Sequence, residues 1–172
     1  GLSAYLNNFD ISFLNKQLND DRFVFGGKYK IYAAVEDIFK MENFGATVML
    51  DTFMVTGENR GVLRIEALGA SLKEPIHANV SLLKLESLGD TSKIVADGYY
   101  YPSVFGKHKE NSIDVNLGLT KYPFKTLQLL ISEGTSGYKG RVDGSVHVEG
   151  PLDKINTDGS LRLRDAEVVV DY

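Results

Sequence analysis

The chain has 172 residues, 43% of them hydrophobic and 24% charged, a balance that suits one folded domain and excludes a disordered chain. Its formal net charge of −4, without a long basic run, excludes the electrostatic footprint of phosphate-backbone recognition, so no nucleic-acid partner is expected. The absence of cysteine excludes disulfides and thiolate metal sites, and no apolar run approaches the ~20 residues that span a bilayer.

Period-two alternation, the mark of half-buried strands, runs through most of the chain. The first segment, Phe9 to Leu18, mixes periods and reads as a strand leading into a helical turn. From Tyr29 the apolar set is Tyr29, Ile31, Ala33 and Val35, and then Val48, Leu50, Thr52 and Met54 are assigned to one face of a longer run. A turn is expected over Gly57–Gly61, followed by Leu63, Ile65 and Ala67 opposed by Arg64 and Glu66. Ile76, Ala78, Val80 and Leu82 alternate with polar residues, and the pattern slips one place to Leu83 and Leu85, which predicts a bulge. Ile94 and Ala96 lead into Tyr99–Tyr100–Tyr101 and then Pro102.

The cleanest alternation is Ile113, Val115, Leu117 and Leu119, and later Val142, Val146 and Val148 against Arg141, Asp143, Ser145, His147 and Glu149. Between them, Phe124, Leu127, Leu130 and Ile131 fall at helical spacing behind Pro123, a good first helical residue, so one short amphipathic helix is predicted there. Gly134–Thr135–Ser136–Gly137 reads as a turn. Leu161 and Leu163 alternate with Ser160, Arg162 and Arg164, and Val168 and Val170 follow. About nine strands joined by short Gly-, Asp- and Asn-rich links predict an antiparallel meander rather than βαβ units.

Nothing in the sequence assembles a catalytic or metal constellation. His77, His108 and His147 lie far apart without a second ligand at metal-binding spacing, and His147 falls on the polar side of its strand. No phosphate loop, nucleophile elbow or H-E-x-x-H is present. Asp20–Asp21 is the one adjacent aspartate pair and reads as loop. The tyrosine run, with Tyr122 and Tyr138, fits strand packing better than sugar or base stacking. The chain is therefore expected to be non-catalytic, without metal or cofactor. Gly1 and the uncapped strand pattern Glu167–Tyr172 make the whole of 1–172 read as one β-rich segment excised from a longer protein.

The stretch YKGRVDGSVHVEGPLDKINTDGSLRLRDAEVVVDY, Tyr138 to Tyr172, has the form G-x-V-x-G-x-V-x-V-x-G-P, a short link, then D-G-x-L-x-L-x-x-A-x-V-x-V-x-Y. It resembles the repeating unit of the TamB family, the translocation and assembly module subunit within the AsmA-like group. FDISFLNKQL, followed by GGKYKIYAAVEDIFKMENFGATVMLDTFMV, is similar to the same family's Leu/Phe element and paired strands with a glycine-rich entry. Between Leu85 and Ile131 the likeness is one of style, and Asp153–Lys154–Ile155 lacks the proline usual after the G-P-L link.

The resemblance implies an all-β fold, a single long, strongly twisted antiparallel sheet curved into an open trough (a β-taco or half-barrel). It implies a parent anchored in the inner membrane and lying in the periplasm of a diderm bacterium, with the anchor outside these residues. The implied partners are phospholipid acyl chains or outer-membrane protein clients, with an Omp85-type outer-membrane partner engaged through other regions. On that reading the inner, lipid-facing set is Leu63, Ile65, Ile113, Val115, Leu117, Val142, Val146, Val148, Leu161 and Leu163, with no ionised side chain among them. Two alternatives stand beside it: a scaffold or chaperone-like segment that pairs its sheet edge with client strands, and a carbohydrate-binding or adhesin-like β-sandwich.

Overall fold

Because residues i and i+2 of a strand share a face, a chain of repeated alternation buries its apolar set best when neighbouring strands pair in register. The computed structural model, which describes residues 1–12, 15, 24–37, 39–40, 42–71, 73–85, 91–103, 110–125 and 135–170, has this arrangement. Ten strands follow one another: β1 (Leu2–Asp10), β2 (Phe25–Gly26), β3 (Lys28–Asp37), β4 (Glu42–Val55), β5 (Glu58–Ser71), β6 (Ile76–Leu85), β7 (Thr91–Tyr101), β8 (Ser112–Pro123), β9 (Thr135–Pro151) and β10 (Asn156–Val170).

All belong to one antiparallel sheet in the order β1-β3-β4-β5-β6-β7-β8-β9-β10, with β2 pairing β4 as a short continuation of β3. The path does not close: β1 and β10 are its two edges. This is the expected open, antiparallel meander, and the described strands form one sheet rather than a sandwich of two.

Several local readings are corrected by the register. β2 and most of β1 were not predicted, and Leu161–Leu163 and Val168–Val170 lie on the single strand β10. The hairpin between β4 and β5 turns on Thr56–Gly57 alone, both at positive φ (51° and 77°), the pattern of a two-residue turn matched to strand twist. Glu58 to Gly61, read as turn, already lie in β5. The register of β4 shifts between Leu50 and Phe53, so Phe53 and Val55, not Thr52 and Met54, continue the apolar face. Conversely, β6 pairs with β7 without a shift from Ile76↔Tyr100 to Leu85↔Thr91, so no bulge occurs at Leu83, which is an outward-facing leucine. Thr135 to Gly137 open β9 instead of forming a turn. The predicted helix over Pro123–Ile131 lies largely outside the described residues, as does the helical part of Phe9–Leu18; Phe124 and Lys125 sit in a 3₁₀ turn.

The most buried side chains gather at the end of the sheet nearest the Thr56–Gly57 turn. Leu82, Leu119 and Tyr122 form one cluster, with Phe53, Leu63, Ile94 and Leu117 packed against it. Phe124, Tyr138 and Val142 form a second, with the Phe124 and Tyr138 rings edge-on at 5.2 Å. Leu50 and Val142 are fully enclosed, at 1% and 0% exposure.

Candidate functional site

Following the cross-strand partners shows where each apolar residue points. One row runs Leu6–Ile31–Val48–Ile65–Val80–Ala96–Leu117–Val146–Gly159 across all nine strands of the main path. The next row runs Ala4–Ala33–Ala46–Ala67–Ala78–Gly98–Val115–Val148–Thr157. On the other side of the first row lie Leu50–Leu63–Leu82–Ile94–Leu119–Gly144–Leu161. Val142 stands opposite Leu163 and Tyr122, and Ile113 opposite Tyr100. The register therefore brings all ten predicted residues to one face.

That face is continuous but only partly covered. Val142 is buried, and Leu63, Ile65, Ile113, Val115, Leu117, Val146 and Val148 are half-buried. Leu161 and Leu163, on the edge strand, remain 49% exposed. A compact monomer of 19.0 kDa exposes about 8,400 Å² by size scaling. This chain exposes 11376 Å², about 3,000 Å² more than that scaling expects. An excess of this kind is what an open, unclosed sheet shows relative to a compact globule.

Glycines let the strands approach closely on this face. A β-carbon built on Gly98 would lie 2.1 Å from the Asp114 carbonyl oxygen, and one on Gly144 would lie 2.2 Å from that of Ser160. Six small residues from Ala4 to Gly98 align in one row across six strands. Sequence reading identified several of these residues singly but not their alignment, because only register lines them up.

The opposite face carries the charge. Lys30 pairs with Asp51 at 2.8 Å, Arg64 with Glu66 at 2.6 Å and Arg164 with Asp143 at 2.9 Å. His147 lies there beside Asn116, 3.0 Å from Nδ1, and Glu149, 3.4 Å from Nε2. His77 lies 3.1 Å from Asp97, whose carboxyl is held below its ordinary value by the Asn79 side-chain hydrogen bond first and by His77 to a lesser degree. Among the described residues no group of three or more His, Asp or Glu side chains could hold a metal ion. Tyr99 is outward and 46% exposed, tilted against His77 at 5.2 Å, so it is not a core residue. Tyr100 faces the apolar side and donates its hydroxyl to Asn111 Oδ1 at 3.0 Å.

Among the described residues, charge enters the apolar face at its borders. At the far border Asp37 stands opposite Glu42. At the hairpin border Lys84 follows Leu82 on the same face, opposite the fully buried Ser92. Beside it, the Arg60 guanidinium, 11% exposed, and the Lys125 ammonium lie 3.0 and 3.3 Å from Glu58. The hydrogen bond from Lys125, and then the Arg60 charge, hold the Glu58 carboxyl below its ordinary value of 4.5, against the smaller effect of desolvation. A depressed carboxyl stabilises the fold above its unfolded value, and that contribution is lost as pH falls through the folded value. Lys125→Gln is expected to move the Glu58 titration back up toward 4.5, read by carboxyl NMR, and an unmoved titration would show that this pair does not set it. Sequence reading missed this border because Glu58 and Lys125 are 67 residues apart.

No helix among the described residues is long and apolar enough to cross a membrane. No protein-family model matches the chain, nor does any curated protein or solved structure.

Proposed function

We propose that the apolar sheet face is a trough that shelters hydrocarbon, and that the chain is a non-catalytic segment of a TamB-like envelope protein serving phospholipid transport to, or protein assembly in, the outer membrane. The observation that carries this reading is the in-register apolar face across nine strands, half-covered at most of its positions. An apolar area that large on a soluble chain is a binding surface or an aggregation hazard, and ordered rows ending in charged borders favour the first. Along a strand the face extends about 20 Å from Ile76 to Leu82, and across the strands about 40 Å. Both exceed the ~15 Å of one hydrocarbon leaflet. Each methylene withdrawn from water contributes about 0.8 kcal/mol, so a chain lying half-shielded along the face gains several kcal/mol without desolvating any charge. The periplasmic location, the inner-membrane anchor and the Omp85-type partner belong to the same proposal.

The test is extraction of lipid with a fluorescent acyl chain from vesicles by the purified 172-residue chain. The expected result is a soluble protein–lipid complex, and emission unchanged from lipid in the vesicle would sink the reading. The alternative, edge pairing with client strands, has its own supporting observation: residues 156–168 of the edge strand β10 are all exposed.

A further inference from the structure

We propose that β10 is a self-pairing edge: two copies of the chain join antiparallel along Asn156–Arg164 about a two-fold axis at Ser160, merging two sheets into one. β10 bounds the sheet, and residues 156–168 are all exposed. Its pairing with β9 is unbroken from Asn156 to Arg164, and the register then shifts beside Asp165, which has a φ of 49°. These nine residues make a regular run of about 30 Å whose outer row of amide and carbonyl groups has no strand neighbour among the described residues. The run carries neither proline nor lysine, two residues that commonly blunt a sheet edge. The opposite edge is less suited to pairing, because β1 breaks its register between Leu6 and Phe9, with Asn8 at a φ of 62°.

The residues of the run select a second copy as the occupant and set the register. Pairing about Ser160 places Asp158 opposite the partner's Arg162 and, by symmetry, Arg162 opposite the partner's Asp158. Both lie on the polar face, where their neighbours in β9 are His147 and Asp143. Asp143 is taken by Arg164 at 2.9 Å, and no ion pair engages Asp158 or Arg162 among the described residues. Opposite charges set across an antiparallel pair attract, whereas moving the axis two residues would set Asp158 against Asp158 or Arg162 against Arg162. Moving it one residue would carry the pairing into the bulge at Asp165 or into the turn before Asn156. On the apolar face Leu161 and Leu163, each 49% exposed, come opposite the partner's Gly159 and Thr157, so pairing covers leucines that a single sheet leaves in water. A two-fold axis perpendicular to the sheet keeps both apolar faces on one side and joins them. Such a contact closes at two copies instead of growing into a fibre. The proposal stands apart from the lipid reading, which needs the face and not the edge.

The test is the mass of the full chain by sedimentation equilibrium over a concentration series, with a site-specific crosslink to read the register. The expected result is a reversible dimer of twice 19.0 kDa. The chain has no cysteine, so Ser160→Cys introduces a single thiol, and at the axis two such residues meet at a Cα separation that a disulfide spans. Mild oxidation is expected to link most of the Ser160→Cys chain into covalent dimers and to leave Ser3→Cys, on the β1 edge, unlinked. Asp158→Arg or Arg162→Asp alone is expected to weaken dimerisation at least about tenfold, and the two together to restore it. Thermal melting separates loss of pairing from loss of fold, and the Ser160→Cys crosslink decides if a charge variant melts early. A monomer at every concentration overturns the proposal and leaves the edge to a strand of another protein. Larger head-to-tail assemblies, a dimer that Ser160→Cys does not trap, or a folded double variant that stays dissociated overturns it as well. Lipid extraction is unaffected by any of these outcomes, so the trough reading stands or falls separately.

Discussion

Val146→Asp is expected to leave the sheet folded and to cut lipid extraction at least about tenfold, a penalty of about 1.4 kcal/mol or more. Val146 lies in the central row between Leu117 and Gly159 and is half-buried. In the empty trough an aspartate there keeps water on its exposed side, so folding loses packing without enclosing a charge. With hydrocarbon lying over it the carboxylate loses that water and gains no partner, which costs several kcal/mol. The face can be read independently with a photo-crosslinkable residue. Placed at Val146 or Leu163 it is expected to capture lipid, and placed at Arg141 or Arg162 it is not, because a one-residue step reverses the face. Thermal melting separates unfolding from loss of binding. Equal capture from both faces, or a folded Val146→Asp chain that still extracts lipid, would end the trough reading for this region.

The second large effect is steric and separates two glycines on neighbouring strands. Gly98 in β7 pairs with Val115, and its missing β-carbon would sit 2.1 Å from the Asp114 carbonyl oxygen and 2.6 Å from the Val115 Cα. Both obstacles are backbone, so β7 and β8 would have to separate. Gly118 in β8 pairs with Val95, and a β-carbon there meets nothing nearer than 3.9 Å. Gly98→Val is therefore expected to cost about 3 kcal/mol or more, enough to unfold a marginal sheet. Gly118→Val is expected to be neutral or mildly stabilising, because a β-branched residue loses less freedom in a strand than glycine does. Chemical denaturation of the two variants checks the pair. Similar midpoints for both would show that β7 and β8 do not approach as closely at Gly98 as described.

Much of the architecture was legible because a strand's periodicity is local. Two residues advance the chain and return the side chain to the same face, so Ile113–Leu119, Val142–Val148 and Leu161–Leu163 declare a common apolar side without reference to any partner. The all-β class follows from that alone, whereas the ten face residues were named with the family resemblance and share one face through the register. The failures came where one residue more or less resets the count. At Leu50–Phe53 the strand absorbs one extra residue, so alternation assigned Thr52 and Met54 to the wrong side. At Leu83 the apparent slip is only an outward-facing leucine in unbroken register. Local pattern cannot tell these cases apart, because a bulge exists only relative to the neighbouring strand.

The strand partners, the row of small residues from Ala4 to Gly98 and the border where Glu58 meets Arg60 and Lys125 were decided by tertiary structure. Each is set by hydrogen bonding and packing between segments far apart in sequence. Whether the apolar face closed into a core was decided in the same way. Alternation makes a face apolar whatever covers it, whereas the open path from β1 to β10 leaves two unjoined edges and a face still half-exposed to water.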